Sequence, residues 1–312
     1  VSFGILFPGQ GSQFVGMGAD LFDARPDLLG DRAEDILGWS LRDVCLNGPE
    51  AELTRTERAQ PGLFALAYAL WEEVRAALPG LPSGAAGHSL GEYTALAAAG
   101  VLDYDEALAL VATRGLAMAD AANLEPSGMA AVLGADIARA EEVAARRRAD
   151  GGRLFVANIN DPGQVVLAGG VADIAWLDSV AQEMGIRKVV PLKVAGAFHS
   201  PFMEPAAAEV AQAISAVSFH PAAFPVWSNV TAQPHVHQSL RRLLADQVVS
   251  SVRFSDTLSG MAAAGVDLFV HVGPGDATAG MARRTVPGCR TMVVNELGAI
   301  GTTVEAIAAQ ET

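Results

Sequence analysis

"MAAVLGADIARAEEVAARRRADGGRLFVANINDPGQVVLAGG", Met129 to Gly170, passes from a short apolar run to helical spacing and then to two further apolar runs. Met129–Leu133 reads as a strand, Ile137–Ala149 as a helix, and Leu154–Asn158 and Val165–Ala168 as strands. Beyond them Ile174–Met184 has helical spacing and Val189–Val194 is again strand-like. The order β-α-β-β-α-β is that of the split βαβ, or ferredoxin-like, arrangement.

The flanks read differently. Ala- and Leu-rich helical stretches are interrupted by short buried strands, Phe3–Phe7, Val226–Asn229 and Leu268–Val272. This predicts a large α/β domain made of residues 1–126 and 195–312, with residues 127–194 inserted as a small domain. The charge divides in the same way. Residues 127–194 carry eight Lys or Arg against eight Asp or Glu, and the remainder carries 13 against 27, for a net −14. So acidic a chain argues against unaided binding to nucleic acid or an anionic membrane, since both need a basic surface.

A chain of 312 residues with 51% hydrophobic side chains buries a substantial core. No apolar run reaches the roughly 18–20 residues that cross a bilayer, and "VSFGILFPGQ" lacks the basic start of a signal peptide. The expectation is a cytosolic globular protein. Cys45 and Cys289 are far apart and have no metal-type spacing, which predicts two buried thiols and neither a disulfide framework nor a zinc site.

"GHSLGEY", Gly87–Tyr93, places Ser89 between two glycines just before an apolar stretch, Leu90–Ala99, that can form a helix ending at Gly100. Gly-x-Ser-x-Gly on a strand-to-helix turn is a nucleophile elbow, in which the glycines permit a tight backbone and the hydroxyl projects at the helix N-terminus. The preceding "GAA" is a poor strand by propensity, and the alternative is a serine that merely caps the helix. A nucleophile needs a base, an oxyanion hole and a group that selects the acyl chain. "GAFHS" offers His199 in a loop bounded by Gly196 and Pro201. Of the other histidines, His88 and His220 read as packing residues, and His235 and His237 as solvated loop. "FPGQGSQ", Phe7–Gln13, can turn backbone N–H groups inward, but it lacks the features of a P-loop or a dinucleotide fingerprint.

Arg114 falls on one stripe with Ala107, Leu110, Val111 and Met118 of a helix expected over Asp105–Asp120, opposite Asp105, Glu106, Thr113 and Asp120. A guanidinium on a buried face needs an anion. That anion is either a core carboxylate or the carboxylate of a substrate.

Taken together, "FPGQGSQ", "GHSLGEY", "TRG", "VANINDPGQVVLAG", "GAFHSPFM" and "VGPG" occur in an order that resembles the malonyl-CoA:acyl-carrier-protein transacylases and the related acyltransferase domains of polyketide and fatty-acid synthases. The resemblance spans nearly the whole chain. It implies an α/β-hydrolase-like large domain with an inserted ferredoxin-like small domain. It also implies Ser89 as nucleophile, His199 as base, the backbone N–H groups of Gln10 and Leu90 as oxyanion hole, Arg114 as carboxylate clamp, and Gln247 of "DQVVSSVRF" as the backbone carbonyl that orients the histidine. Phe198 and Leu90 would favour malonyl over methylmalonyl. Its substrates would be malonyl-CoA and the phosphopantetheine thiol of an acyl carrier protein, with no metal, nucleotide or redox cofactor. Two positions depart from the family's pattern: His271 and Asp276 stand where Glu and Lys are common around "VGPG", which puts surface charge near the cleft in question. Arg146, Arg147, Arg148, Arg153, Arg187, Lys188 and Lys193 are candidates for a basic landing surface for the carrier, or simply solvated residues. The rival readings are a thioesterase whose histidine pairs with Asp161 or Asp173, and a module that binds carrier proteins without chemistry.

Overall fold

The computed structural model describes residues 2–309, arranged around two four-stranded sheets whose strands are numbered along the chain. The first sheet is parallel throughout, in the order β2 (Gly84–Gly87), β1 (Phe3–Phe7), β7 (Leu268–Val272), β8 (Arg290–Val294). Every residue of β1 and β7 is buried. Covering on both faces is why these strands read as unbroken apolar runs. The helices Thr56–Ala77 and Tyr104–Leu124 pack against each other beside this sheet, and their buried side chains join it in one core with Phe7, Phe64, Trp71 and Leu108.

The second sheet is antiparallel, in the order β4 (Leu154–Asp161), β5 (Gln164–Gly170), β3 (Ser127–Leu133), β6 (Lys188–Pro191). With the helices Ile137–Ala149 and Val171–Val180 it forms the ferredoxin-like unit that the spacing predicts. Side chains alternate along its strands. Ala130, Val132, Val165 and Leu167 pack with Val143 and Leu177 of the two helices, whereas Met129, Ala131, Val166 and Ala168 belong to the main core. One face of the small sheet therefore carries its own helices, and the other lies over the large α/β body.

Several local expectations are corrected. "GAAG" is a strand despite its propensity, because small residues are what its neighbours allow: a Cβ on Gly84 would run into the Trp227 ring, and one on Gly87 would fall on the carbonyl carbon of Gly91. Val226–Asn229 is no strand. It contributes two isolated bridges, Val226 to Ala85 at the outer edge of β2 and Trp227 to Pro234. β6 ends at Pro191, whose nitrogen has no proton to donate to the ladder, and does not extend to Val194. Cys45 is buried, but Cys289 is only half-buried. Among the described residues no helix is long and apolar enough to cross a membrane, and no group of three His, Cys, Asp or Glu side chains could hold a metal ion.

The tight turn at Gly87 predicts a substitution effect. Gly87→Ala would collide with backbone, not with a side chain that can rotate away, so it should cost about 3 kcal/mol, the upper end of ordinary overpacking. Urea unfolding of the two proteins measures this, and equal midpoints would mean that the turn has slack.

Candidate active site

β2 leads into the helix Gly91–Ala98 through His88, Ser89 and Leu90. Ser89 has φ 52°, a left-handed conformation unusual for a side chain with a Cβ. Its surroundings enforce it. Asn229 Oδ1 accepts from the Ser89 N–H (2.7 Å), and Asn229 Nδ2 donates to the Gly87 carbonyl (2.8 Å). A Cβ on Gly91 would lie 2.5 Å from the Phe7 carbonyl oxygen, so glycine is required where the new helix crosses the end of β1. The serine sits on a strained turn and does not act as a cap, since no side chain caps this helix.

His199 also has positive φ, 57°, and is buried. Its Nδ1 donates to the Gln247 carbonyl (2.9 Å), which leaves Nε2 as an acceptor 2.7 Å from Ser89 Oγ. Burial and then the nearby Arg114 cation push its pKa down to about 3, against a lift from the Gln247 carbonyl. The imidazole is thus neutral at physiological pH, with Nε2 its acceptor atom.

Arg114 is completely buried, as are its stripe-mates, and none of the four residues opposite is. Its acceptors are all uncharged: Gln60 Oε1 (2.5 Å) on Nη1, and Ser89 Oγ (2.9 Å) and Gln247 Oε1 (3.0 Å) on Nη2. Nε has no acceptor among the described residues. Tyr93 lies under the guanidinium, 5.3 Å from ring centroid to Cζ. Burial lowers the guanidinium's pKa, but arginine remains charged in proteins. A buried cation with only neutral partners is an expensive arrangement unless an anion arrives from outside.

Ser89, His199 and Phe198 line a cleft of about 220 Å³. Gln10 and Leu90 line it too, and no described group accepts a hydrogen bond from either backbone N–H. The loop carrying Gln10 is held close by Gly9, where a Cβ would clash with the His88 carbonyl. Met129, Asn158, Val166 and Leu192 of the small unit form the opposite wall. His88 joins the two walls through Asn160 (2.8 Å) and packs edge-on against Phe254.

Other residues are placed differently from expectation. His235 is not solvated: its side chain is 6% exposed and bonded to the fully buried Glu92 (2.6 Å). His220 does not pack in the core but lies half-exposed beside Asp103. His271 is buried between Thr278 Oγ1 and the Gly273 carbonyl, so it contributes nothing to surface charge, whereas Asp276 is exposed. Asp161 and Asp173 face Arg284 and Arg147, each at 2.6 Å, and neither bonds to His199. Arg146, Arg148 and Arg153 are likewise paired, with Glu183, Glu141 and Glu125. Sequence reading missed Gln60 and Asn229, which carry no motif of their own, and Glu92, which stands inside "GHSLGEY" but whose partners Gln247, Asn229 and His235 are distant along the chain.

A serine–imidazole pair on a parallel-sheet turn, backed by a buried cation, is the apparatus of covalent acyl transfer. The chain belongs to the acyl transferase domain family, whose model matches residues 5–297. It is 36% identical over 295 residues to the malonyl CoA-acyl carrier protein transacylase of Bacillus subtilis, covering 93% of this chain and 92% of that one. It is 39% identical to the polyketide biosynthesis malonyl CoA-acyl carrier protein transacylase PksC of the same organism, covering 89% and 95%. Among solved structures it superposes with a TM-score of 0.93 and 33% identity on a chain from a complex of a type II polyketide synthase acyl-carrier protein with its malonyl-transacylase, covering 98% and 100%.

The environment of His199 predicts its titration. Between about pH 8 and pH 5 its imidazole nitrogen resonances should remain those of the neutral Nδ1–H tautomer. A midpoint near the ordinary 6.5 would show that the ring is neither buried nor beside a cation in solution.

Proposed function

We propose that the chain moves a malonyl group from coenzyme A to the phosphopantetheine thiol of an acyl carrier protein through an ester on Ser89. The observation that carries the reading is Arg114: a buried guanidinium beside Ser89 Oγ with no carboxylate bonded to it among the described residues. An acyl group that ends in its own carboxylate supplies the missing anion, in the planar geometry the guanidinium fork suits.

His199 Nε2 takes the Ser89 proton as Oγ attacks the thioester carbonyl. The Gln247 carbonyl keeps Nδ1 protonated and the ring aligned, and stabilises the imidazolium, so no triad carboxylate is needed. The N–H groups of Gln10 and Leu90 receive the oxyanion; one such donor is typically worth about 2.7–4 kcal/mol in the barrier. As the carbonyl re-forms, the C–S bond breaks and the imidazolium returns its proton to the departing thiolate. The carrier thiol then gives its proton to His199, attacks the ester, and Ser89 recovers its proton as it leaves.

The pairing of Asp161 and Asp173 with arginines weighs against the hydrolase reading, which assigns one of them to His199. Phe198, buried at the cleft wall, crowds the carbon between the two carbonyls, and one methyl there is worth about 1–3 kcal/mol of discrimination. Two thiols without a disulfide suit a cytoplasmic setting.

Mass spectrometry of the intact protein after mixing with malonyl-CoA tests the nucleophile: wild type gains one malonyl group and Ser89→Ala none. Label persisting on the variant would move the nucleophile elsewhere. Arg114→Ala should depress malonyl transfer about 10- to 100-fold more than acetyl transfer, the worth of a charged hydrogen bond. Equal losses would make Arg114 a structural residue. Phe198→Ala should raise the ratio of methylmalonyl to malonyl loading by roughly 10-fold; an unchanged ratio would remove Phe198 from the selection of the acyl group.

A further inference from the structure

We infer that His235 is a positioning residue for acyl selection, acting through Glu92 on Gln247 and so on Arg114. The inference rests on the acyl-transfer reading above and extends it to a residue outside the cleft.

Glu92 is in the first turn of the helix that follows Ser89, and its side chain is wholly buried. Among the described residues no arginine or lysine bonds to it. Its Oε2 accepts from Gln247 Nε2 (2.6 Å) and from the Asn229 N–H (3.1 Å), and its Oε1 accepts from His235 Nε2 (2.6 Å). The two groups on Oε2 are supports of the site itself. Gln247 Nε2 also donates to the Ser89 carbonyl (3.0 Å), its Oε1 receives Arg114 Nη2, and Asn229 Oδ1 holds the Ser89 N–H. Glu92 thus fixes both from behind, and His235 alone fixes its other oxygen.

The imidazole is well placed to do so. The His235 N–H donates to the Val226 carbonyl (2.7 Å), and Val226 bridges Ala85 of β2, so the ring is tied to the strand that delivers Ser89. Glu92 is the only hydrogen-bond partner of the His235 ring among the described residues, and Nδ1 has none. A side chain nine-tenths buried with one polar contact is held for that contact.

Removing the donor leaves Glu92 Oε1 desolvated and unpaired, a costly state for a buried carboxylate. Its relief is to turn toward the donors that remain, Gln247 Nε2 and Asn229 N–H. A shifted Gln247 amide carries Oε1 away from Arg114 and lets the guanidinium settle elsewhere. The His199 contact is less exposed to this movement, because it uses the Gln247 backbone carbonyl at the end of the helix Leu240–Gln247. Selection of a carboxylated acyl group should therefore suffer more than ester formation as such.

The test compares loading of malonyl and acetyl groups from their coenzyme A thioesters in wild type, His235→Phe, His235→Gln and the nearby exposed His237→Phe, on protein whose thermal unfolding is recorded in parallel. His235→Phe fills the space without a donor and should lower the malonyl-to-acetyl ratio by about 10-fold through a raised KM for malonyl-CoA. His235→Gln keeps an N–H donor and should restore most of the ratio, and His237→Phe should leave it unchanged. A ratio that stays constant in His235→Phe while total activity or stability falls would overturn the inference, as would failure of Gln to restore it. Should His235→Phe not fold, the His235→Gln and His235→Ala pair carries the comparison: a lower ratio in Ala than in Gln supports the inference and equal ratios overturn it. Absence of malonyl label on the wild-type protein would instead bring down the acyl-transfer reading itself.

Discussion

A guanidinium that keeps its proton stands at the centre of this molecule with only amide and hydroxyl oxygens for company. Placing a charge there is unfavourable by several kcal/mol after relaxation, and a nearby protein carboxylate would be the usual remedy. Here the one buried carboxylate in the neighbourhood, Glu92, is bonded instead to Gln247, Asn229 and His235. The interior is thus arranged to keep cation and anion apart. Gln247 lies between them, giving its N–H to one and its oxygen to the other, so that Arg114 keeps no carboxylate partner among the described residues.

The same constraint explains why the site is assembled from distant segments. The serine comes from β2, the imidazole from the loop after the small unit, the guanidinium from the helix Tyr104–Leu124, and the orienting carbonyl from the end of the helix Leu240–Gln247. Arg114 bonds the serine hydroxyl directly, and the Gln247 carbonyl holds the imidazole beside it. The antiparallel sheet closes the cleft with the face its own helices leave uncovered, so the insertion acts as a wall, and Met129 and Val166 are shared between core and pocket.

Much of this was legible in the chain because the relevant signals are local. β1 and β7 are buried on both faces and have the limits their apolar runs indicate; the small unit shows its order of strands and helices, although its second helix runs Val171–Val180 and not Ile174–Met184; and Arg114 is conspicuous on an otherwise apolar stripe. What escaped was set by tertiary contact. "GAAG" has no strand propensity and is a strand because Trp227 and the crossing at Gly91 admit nothing larger. His235 in "PHVH" looks like a polar loop until Glu92, 143 residues away, accepts its hydrogen bond. Asn229 and Gln60 are polar residues in unremarkable surroundings, and only folding shows that they support Ser89 and Arg114.

The strand order has a consequence for synthesis. β1 is made well before its neighbour β7, which begins at Leu268, about 260 residues later. At about 5–20 residues per second the ribosome leaves that edge of β1 without its partner for roughly 13–50 s, while the insertion, whose strands all lie close in sequence, can complete its own sheet. Over that interval the apolar edge of β1 is open to mispairing. Until Asn229 and Gln247 follow, the turn at Ser89 also lacks the groups that hold it.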